Sequence, residues 1–161
     1  MEAIVNKLGG MEGVRRFLAG NSEVVIKDHV IDCDANPFTP DGWKVEEHQK
    51  GGQFKMDVSR VELWLADGQK KGYIEGNKLR KEIAKKTPFN ANVLDYLLAH
   101  PELIPEEWKG KYVFFWGTIY RDSDGNLYVR YLYWHDDRWY WNNNSLYNVW
   151  HDDNPAALRA S

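Results

Sequence analysis

The sequence predicts an α+β fold: helices first, then a small antiparallel sheet with a Trp-rich C-terminal region. Three observations carry that expectation. Apolar residues recur at helical spacing between residues 77 and 99, bounded by capping residues and prolines. From Tyr112 onward, aromatic and β-branched runs are separated by turn residues. The last segment then spaces Trp139 and Trp141 two apart, as in a strand.

Taken in order, residues 1–22 read as an N-terminal helical segment broken at Gly9-Gly10, with Val14, Phe17 and Leu18 as its apolar stripe and Gly20 as its stop. Residues 23–161 read as one α+β binding domain. Val24 to Ile31 suggests a strand, and Asn36-Pro37-Phe38-Thr39-Pro40-Asp41-Gly42 a loop. Trp43 to His48 is mixed in pattern, and Lys50-Gly51-Gly52 marks a turn. Ser59-Arg60-Val61-Glu62 matches a capping box, which predicts a helix carrying Val61, Trp64 and Leu65 on one face. A second helix is expected over Asn77 to Lys86, stopped by Thr87-Pro88. Asn90 caps a third, with Val93, Leu94, Leu97 and Leu98 as its buried stripe and Pro101 beyond its end. Tyr112 to Tyr120 and Leu127 to Trp134 form a hairpin about Asp122-Ser123-Asp124-Gly125-Asn126, and Pro155 to Ala160 forms a closing strand.

Composition narrows the function classes. The chain has 161 residues, a net charge of −3 and no basic stripe, so a nucleic-acid partner is not expected. One cysteine, Cys33, leaves no internal disulfide and no Cys-based zinc site. With no basic-then-apolar leader and no apolar run of spanning length, the chain reads as soluble and cytoplasmic, with no membrane partner. Eight Trp and nine Tyr are many for this length, and such rings are enriched where proteins meet partners.

The most informative stretch is His135 to Asn154, HDDRWYWNNNSLYNVWHDDN. Fifteen of its twenty residues are Asn, Asp, His, Tyr, Ser or Val. From an Asn codon, one adenine change yields Asp, His or Tyr at the first base and Ser, Thr or Ile at the second; only Val149 needs two. Lys, Glu and Gln, abundant upstream, are missing here, while Arg138, Trp139, Trp141, Leu146 and Trp150 can all be written without adenine. Turn chemistry accounts for Asn and Asp but not for that omission.

This segment resembles the variable region of proteins diversified by retroelements through adenine-specific errors. The resemblance covers about Trp134 to Ser161, with the variable part about 134–154 and residues 154–161 as an invariant end. It implies a C-type-lectin-like fold, although neither calcium-lectin motifs nor paired cysteines occur. It also implies a non-enzymatic binding protein whose ligand is a variable macromolecule, expected to be a protein, with no cofactor. The recognition surface would comprise His135, Asp136, Asp137, Tyr140, Asn142, Asn143, Asn144, Ser145, Tyr147, Asn148, Val149, His151, Asp152, Asp153 and Asn154. Trp139, Trp141, Leu146 and Trp150 would be scaffold, with Trp139 and Trp141 sharing one face of a strand and the variable positions the other. Residues 1 to about 110 would carry core formation and docking to a constant partner.

Other chemistries are weaker. Trp-His-Asp-Asp occurs at 134–137 and 150–153, and His with carboxylates suits a metal-dependent hydrolase. The spacing matches no defined metal motif, and no metal site is assigned. Exposed aromatic rings also suit a carbohydrate-binding module. Asp122-Ser123-Asp124-Gly125 lacks the later ligands of a calcium loop. His29 and Cys33 fall on one side of a strand, without the donors a thiol nucleophile needs; a half-buried free cysteine is the plainer reading. Glu46-Glu47 and Glu106-Glu107 read as solvated or helix-start charges.

Overall fold

Residues 28–161 are described by a computed structural model. The expected N-terminal helix and the beginning of the 24–31 strand lie outside them. Strands β1 (Val30–Asp32), β2 (Lys44–His48), β3 (Gln53–Lys55) and β4 (Val61–Trp64) come first. Helix α1 (Asp67–Lys70), strand β5 (Tyr73–Glu75), and helices α2 (Gly76–Ile83) and α3 (Ala91–Ala99) follow. Strands β6 (Val113–Phe114), β7 (Thr118–Arg121), β8 (Leu127–His135), β9 (Arg138–Ser145), β10 (Val149–His151) and β11 (Ala156–Arg159) complete the chain. The fold is mixed α+β, with more strand than helix.

The main sheet runs β2-β7-β8-β6-β11-β4, with β9 on the other side of β8. The expected segregation of helices from strands does not hold, because β2 and β4 from the first half pair with β7 and β11 from the second. The core draws on both halves in the same way, from Phe54 and Leu94 to Trp116 and Ala157. Successive residues of β8 serve opposite faces. Leu132 packs with α3, Phe54 and Trp108, while Val129 packs with Leu79 and Ile83 of α2, Trp116, Leu146 and Trp150.

The capping-box helix is a correction. Asp57 is the cap: its carboxylate accepts from the Ser59 amide at 3.0 Å and from the Ser59 hydroxyl at 2.8 Å, giving one 3₁₀ turn over Val58–Arg60. Val61–Trp64 then extends because it pairs with Ala156–Arg159. The other two helices form as expected, over Gly76–Ile83 and Ala91–Ala99, the second with Asn90 accepting from Asn92 at 3.0 Å. Val93, Leu94 and Leu97 are buried, and Leu98 is half-buried.

The 112–120 strand is split in two. Gly117 lies so close to residues 89–90 that an added Cβ would meet the Asn90 backbone at 2.8 Å, which forces the chain out of the ladder between β6 and β7. The β7–β8 hairpin is present, its turn held by Asp122 accepting from the amides of Asp124 and Asn126. The tail strand β11 lies inside the sheet, parallel to β6 and antiparallel to β4.

Candidate functional site

The segment 135–154 forms the turn after β8, all of β9, a loop, β10 and a second turn. None of the fifteen positions expected to vary is buried, whereas Leu146 is 1% and Trp150 0% exposed. Trp139 and Trp141 are half-buried against the α3 side of the core. Trp141 is fixed by chemistry from outside the segment. The guanidinium of Arg130 sits 4.1 Å from its ring centroid and forms two bonds to Asp95, at 3.0 and 2.8 Å.

Directly paired residues of an antiparallel ladder share a face. Tyr133 pairs with Tyr140, Tyr131 with Asn142 and Val129 with Asn144, so Tyr140, Asn142 and Asn144 lie on the α2 side of the sheet. There Tyr140 extends an aromatic row: Tyr112 to Tyr131 at 5.5 Å, Tyr131 to Tyr133 at 5.6 Å and Tyr133 to Tyr140 at 5.8 Å between centroids. Burial, then the neighbouring phenols of Tyr133 and Tyr112, push the Tyr131 pKa up. Asn143 and Ser145 depart from the expected arrangement. They alternate onto the indole face, paired with Arg130 and Tyr128. A cleft of about 610 Å³ on that face, lined by Phe38, Asp95, Tyr96, Arg130 and Trp141, contains none of the fifteen positions.

The two Trp-His-Asp-Asp segments adopt different structures. Asp136 and Asp137 have φ of 48° and 62°, the conformation of a type I′ hairpin turn, which Asn and Asp tolerate better than most side chains. In the second segment the Asn154 side chain accepts from the His151 amide at 2.8 Å, closing a turn without positive φ. Among the described residues, no three His, Cys, Asp or Glu side chains cluster as a metal site.

The rest of the molecule grips this segment by its main chain. Gln69, 1% exposed, accepts from the Ala66 amide at 2.9 Å and donates to the carbonyls of His151 at 3.0 Å and Asn154 at 2.8 Å. The Tyr112 amide donates to the Asp153 carbonyl at 2.8 Å, and the Gly76 amide to that of Asn148 at 2.9 Å. Asn77 reaches the Leu146 carbonyl at 3.3 Å. Strand β10 pairs with β5, and β9 with β8. Conversely, the hydrogen bonds made by the fifteen side chains end inside the segment, as in Asn148 to Asn144 at 2.8 Å and Asn144 to the Val149 carbonyl at 3.4 Å. Gly76 allows the closest approach: a Cβ there would meet the Leu146 carbonyl oxygen and the Trp150 ring at 2.5 Å.

Sequence reading missed Gln69, Gly76 and Asn77, the residues that position the loop. A polar residue in a four-residue helix carries no pattern, and a glycine at a helix start reads as a weak position. His29 and Cys33 do not pair: His29 bonds Tyr96 at 2.8 Å, and Cys33 is buried, with desolvation raising its pKa. Glu46 and Glu47 bind Arg121 and Arg80 at 2.7 and 3.0 Å. Glu106 pairs with Lys109 at 2.8 Å.

Fold and site thus define a mixed α+β protein presenting a Tyr- and Asn-rich surface on an edge strand and two turns. Compared with protein-family models, curated proteins and solved structures, the chain matches none. Among the described residues, no helix is long and apolar enough to cross a membrane.

Proposed function

We propose that this is a binding protein whose 135–154 segment is a diversified recognition surface for macromolecular ligands, most simply proteins. One observation carries the reading. Hydrogen bonds from the scaffold to the segment end on its main chain, while those of the side chains at the Asn-derived positions end within the segment, on one another or on its own main chain. Such a segment exchanges side chains without disturbing the bonds that hold it, because exposed substitutions typically change stability by only about half a kcal/mol. Tyr and Asn suit the task, supplying rigid contact area and adaptable hydrogen bonding as in antibody loops. A preformed backbone also limits the entropy lost on binding.

The finer assignments, to retroelement-diversified variable proteins and to a C-type-lectin-like fold, rest on the resemblance of the tail. Sequencing codons 135–154 in many clones from the source population tests them. Changes should cluster at the first two bases of the fifteen codons, leaving Trp139, Trp141, Leu146 and Trp150 fixed. Invariant codons, or variation confined to silent third bases, would overturn the proposal.

A further inference from the structure

Among the described residues strand β9 borders the sheet with one edge unpaired, and the groups on that edge can be read from the ladder. The Leu146 amide donates to the Leu127 carbonyl at 3.0 Å, and these two residues continue the β8–β9 register. Bonded and non-bonded pairs alternate along an antiparallel ladder. Residues 138, 140, 142 and 144 therefore turn their main-chain groups toward β8, and residues 139, 141, 143 and 145 turn theirs outward. Two outward groups are already covered: the Asn142 side chain accepts from the Asn143 amide at 2.8 Å, and the Asn148 amide donates to the Ser145 carbonyl at 2.9 Å. Among the described residues, no hydrogen bond reaches the N–H or C=O of Trp139 or Trp141, or the C=O of Asn143.

Edges of this kind are normally blunted by Lys, Pro, a bulge or short length. Strand β9 has none of these: it is eight residues long and pairs with β8 in unbroken register. We propose that a second copy of the chain pairs with it, β9 against β9, antiparallel about a two-fold axis at Trp141. The free groups are self-complementary in that register. The Trp141 amide of each copy meets the Trp141 carbonyl of the other, and the Trp139 amide meets the Asn143 carbonyl. The Asn143 amide, released from Asn142, meets the Trp139 carbonyl. Across the axis Tyr140 lies opposite Asn142, and Arg138 opposite Asn144, so no like charges face each other. Main-chain groups make the contact, so it tolerates changes at 140, 142 and 144 that set no like charges opposite one another. If the diversified-surface reading holds, pairing also joins two such surfaces into one.

Sedimentation and amide exchange on the full chain, over a dilution series, test this. A dimer is expected whose Trp139 and Trp141 amides exchange slowly when concentrated and fast when dilute, with those of Tyr140 and Asn142 slow throughout. Y140K/N142K sets Lys opposite Lys on both sides of the axis and should give a monomer that keeps the slow 140 and 142 amides. Y140D/N142D should do the same, and mixing the two variants should restore a dimer. A wild-type monomer at every concentration would overturn the proposal. So would Trp139 and Trp141 amides that exchange slowly in the monomer or fast in the dimer. A dimer indifferent to both double variants would contradict the register.

Discussion

The side-chain amide of Gln69 donates to the main-chain carbonyl of Asn154 at 2.8 Å, across 85 residues of sequence. The same amide holds His151, so one buried side chain fixes both ends of the 151–154 turn through main-chain carbonyls alone. Gln69→Leu keeps the volume but strands two carbonyls and the Ala66 amide. It should cost about 2–4 kcal/mol in denaturant unfolding. The 151–154 amides should exchange faster in proportion; equal exchange in the variant would show that the turn holds itself.

Gly76→Ala inverts the usual expectation. In an exposed helix this change normally stabilises by about 1 kcal/mol. Here the new methyl would overlap the Leu146 carbonyl oxygen and the Trp150 ring, each 2.5 Å from the ideal Cβ. A loss of about 3 kcal/mol is expected from overpacking, read as a lower denaturant midpoint. A neutral or stabilised variant would mean that α2 and the 146–150 loop separate readily.

Asp95→Ala leaves the guanidinium of Arg130, 1% exposed, without its carboxylate. Losing one partner of a buried pair costs about 3–5 kcal/mol, and partial exposure of Asp95 places this case at the lower end. Trp141 rests on that guanidinium, so its fluorescence should change as well.

His48 supplies a pH dependence. Burial holds its pKa below the ordinary histidine value, Nδ1 bonds Thr118 at 2.9 Å, and Nε2 is buried without a partner among the described residues. Because the folded pKa lies below the unfolded one, the unfolded chain binds the proton more tightly. The stability held by neutral His48 is full above about pH 6.5 and declines as pH falls toward the folded pKa. Denaturant midpoints across that window should fall more steeply for wild type than for His48→Gln. Parallel profiles would remove His48 as the cause.

Local chemistry made some elements legible. The Asn90 cap with Val93, Leu94 and Leu97, and the Asp122–Asn126 turn, both lie within a few residues of their partners. Distant partners hid the rest. Ser59-Arg60-Val61-Glu62 satisfies a helix-start pattern, yet Val61 pairs with Arg159, and that pairing decides the backbone. The break at Gly117 depends on its contact with residues 89 and 90. Codon logic singled out the tail positions, and strand alternation separated Tyr140 from Trp139 and Trp141. It also sends Asn143 and Ser145 to the indole face. The grip of Gln69 and Gly76 on carbonyls leaves no trace in side-chain composition.

The most direct test of the separation between held backbone and free side chains is a pooled stability measurement of every single substitution from 135 to 154. Changes to Asn, Asp, His, Tyr or Ser at the fifteen positions should stay within about half a kcal/mol of wild type. Exceptions are expected at Asp136 and Asp137, where positive φ favours Asn and Asp, and at Asn154, whose side chain closes its turn on the His151 amide. Truncating Leu146 or Trp150 to Ala should cost about 3–5 kcal/mol. If the fifteen positions prove as sensitive as Leu146 and Trp150, their side chains hold the fold and the separation of roles is wrong.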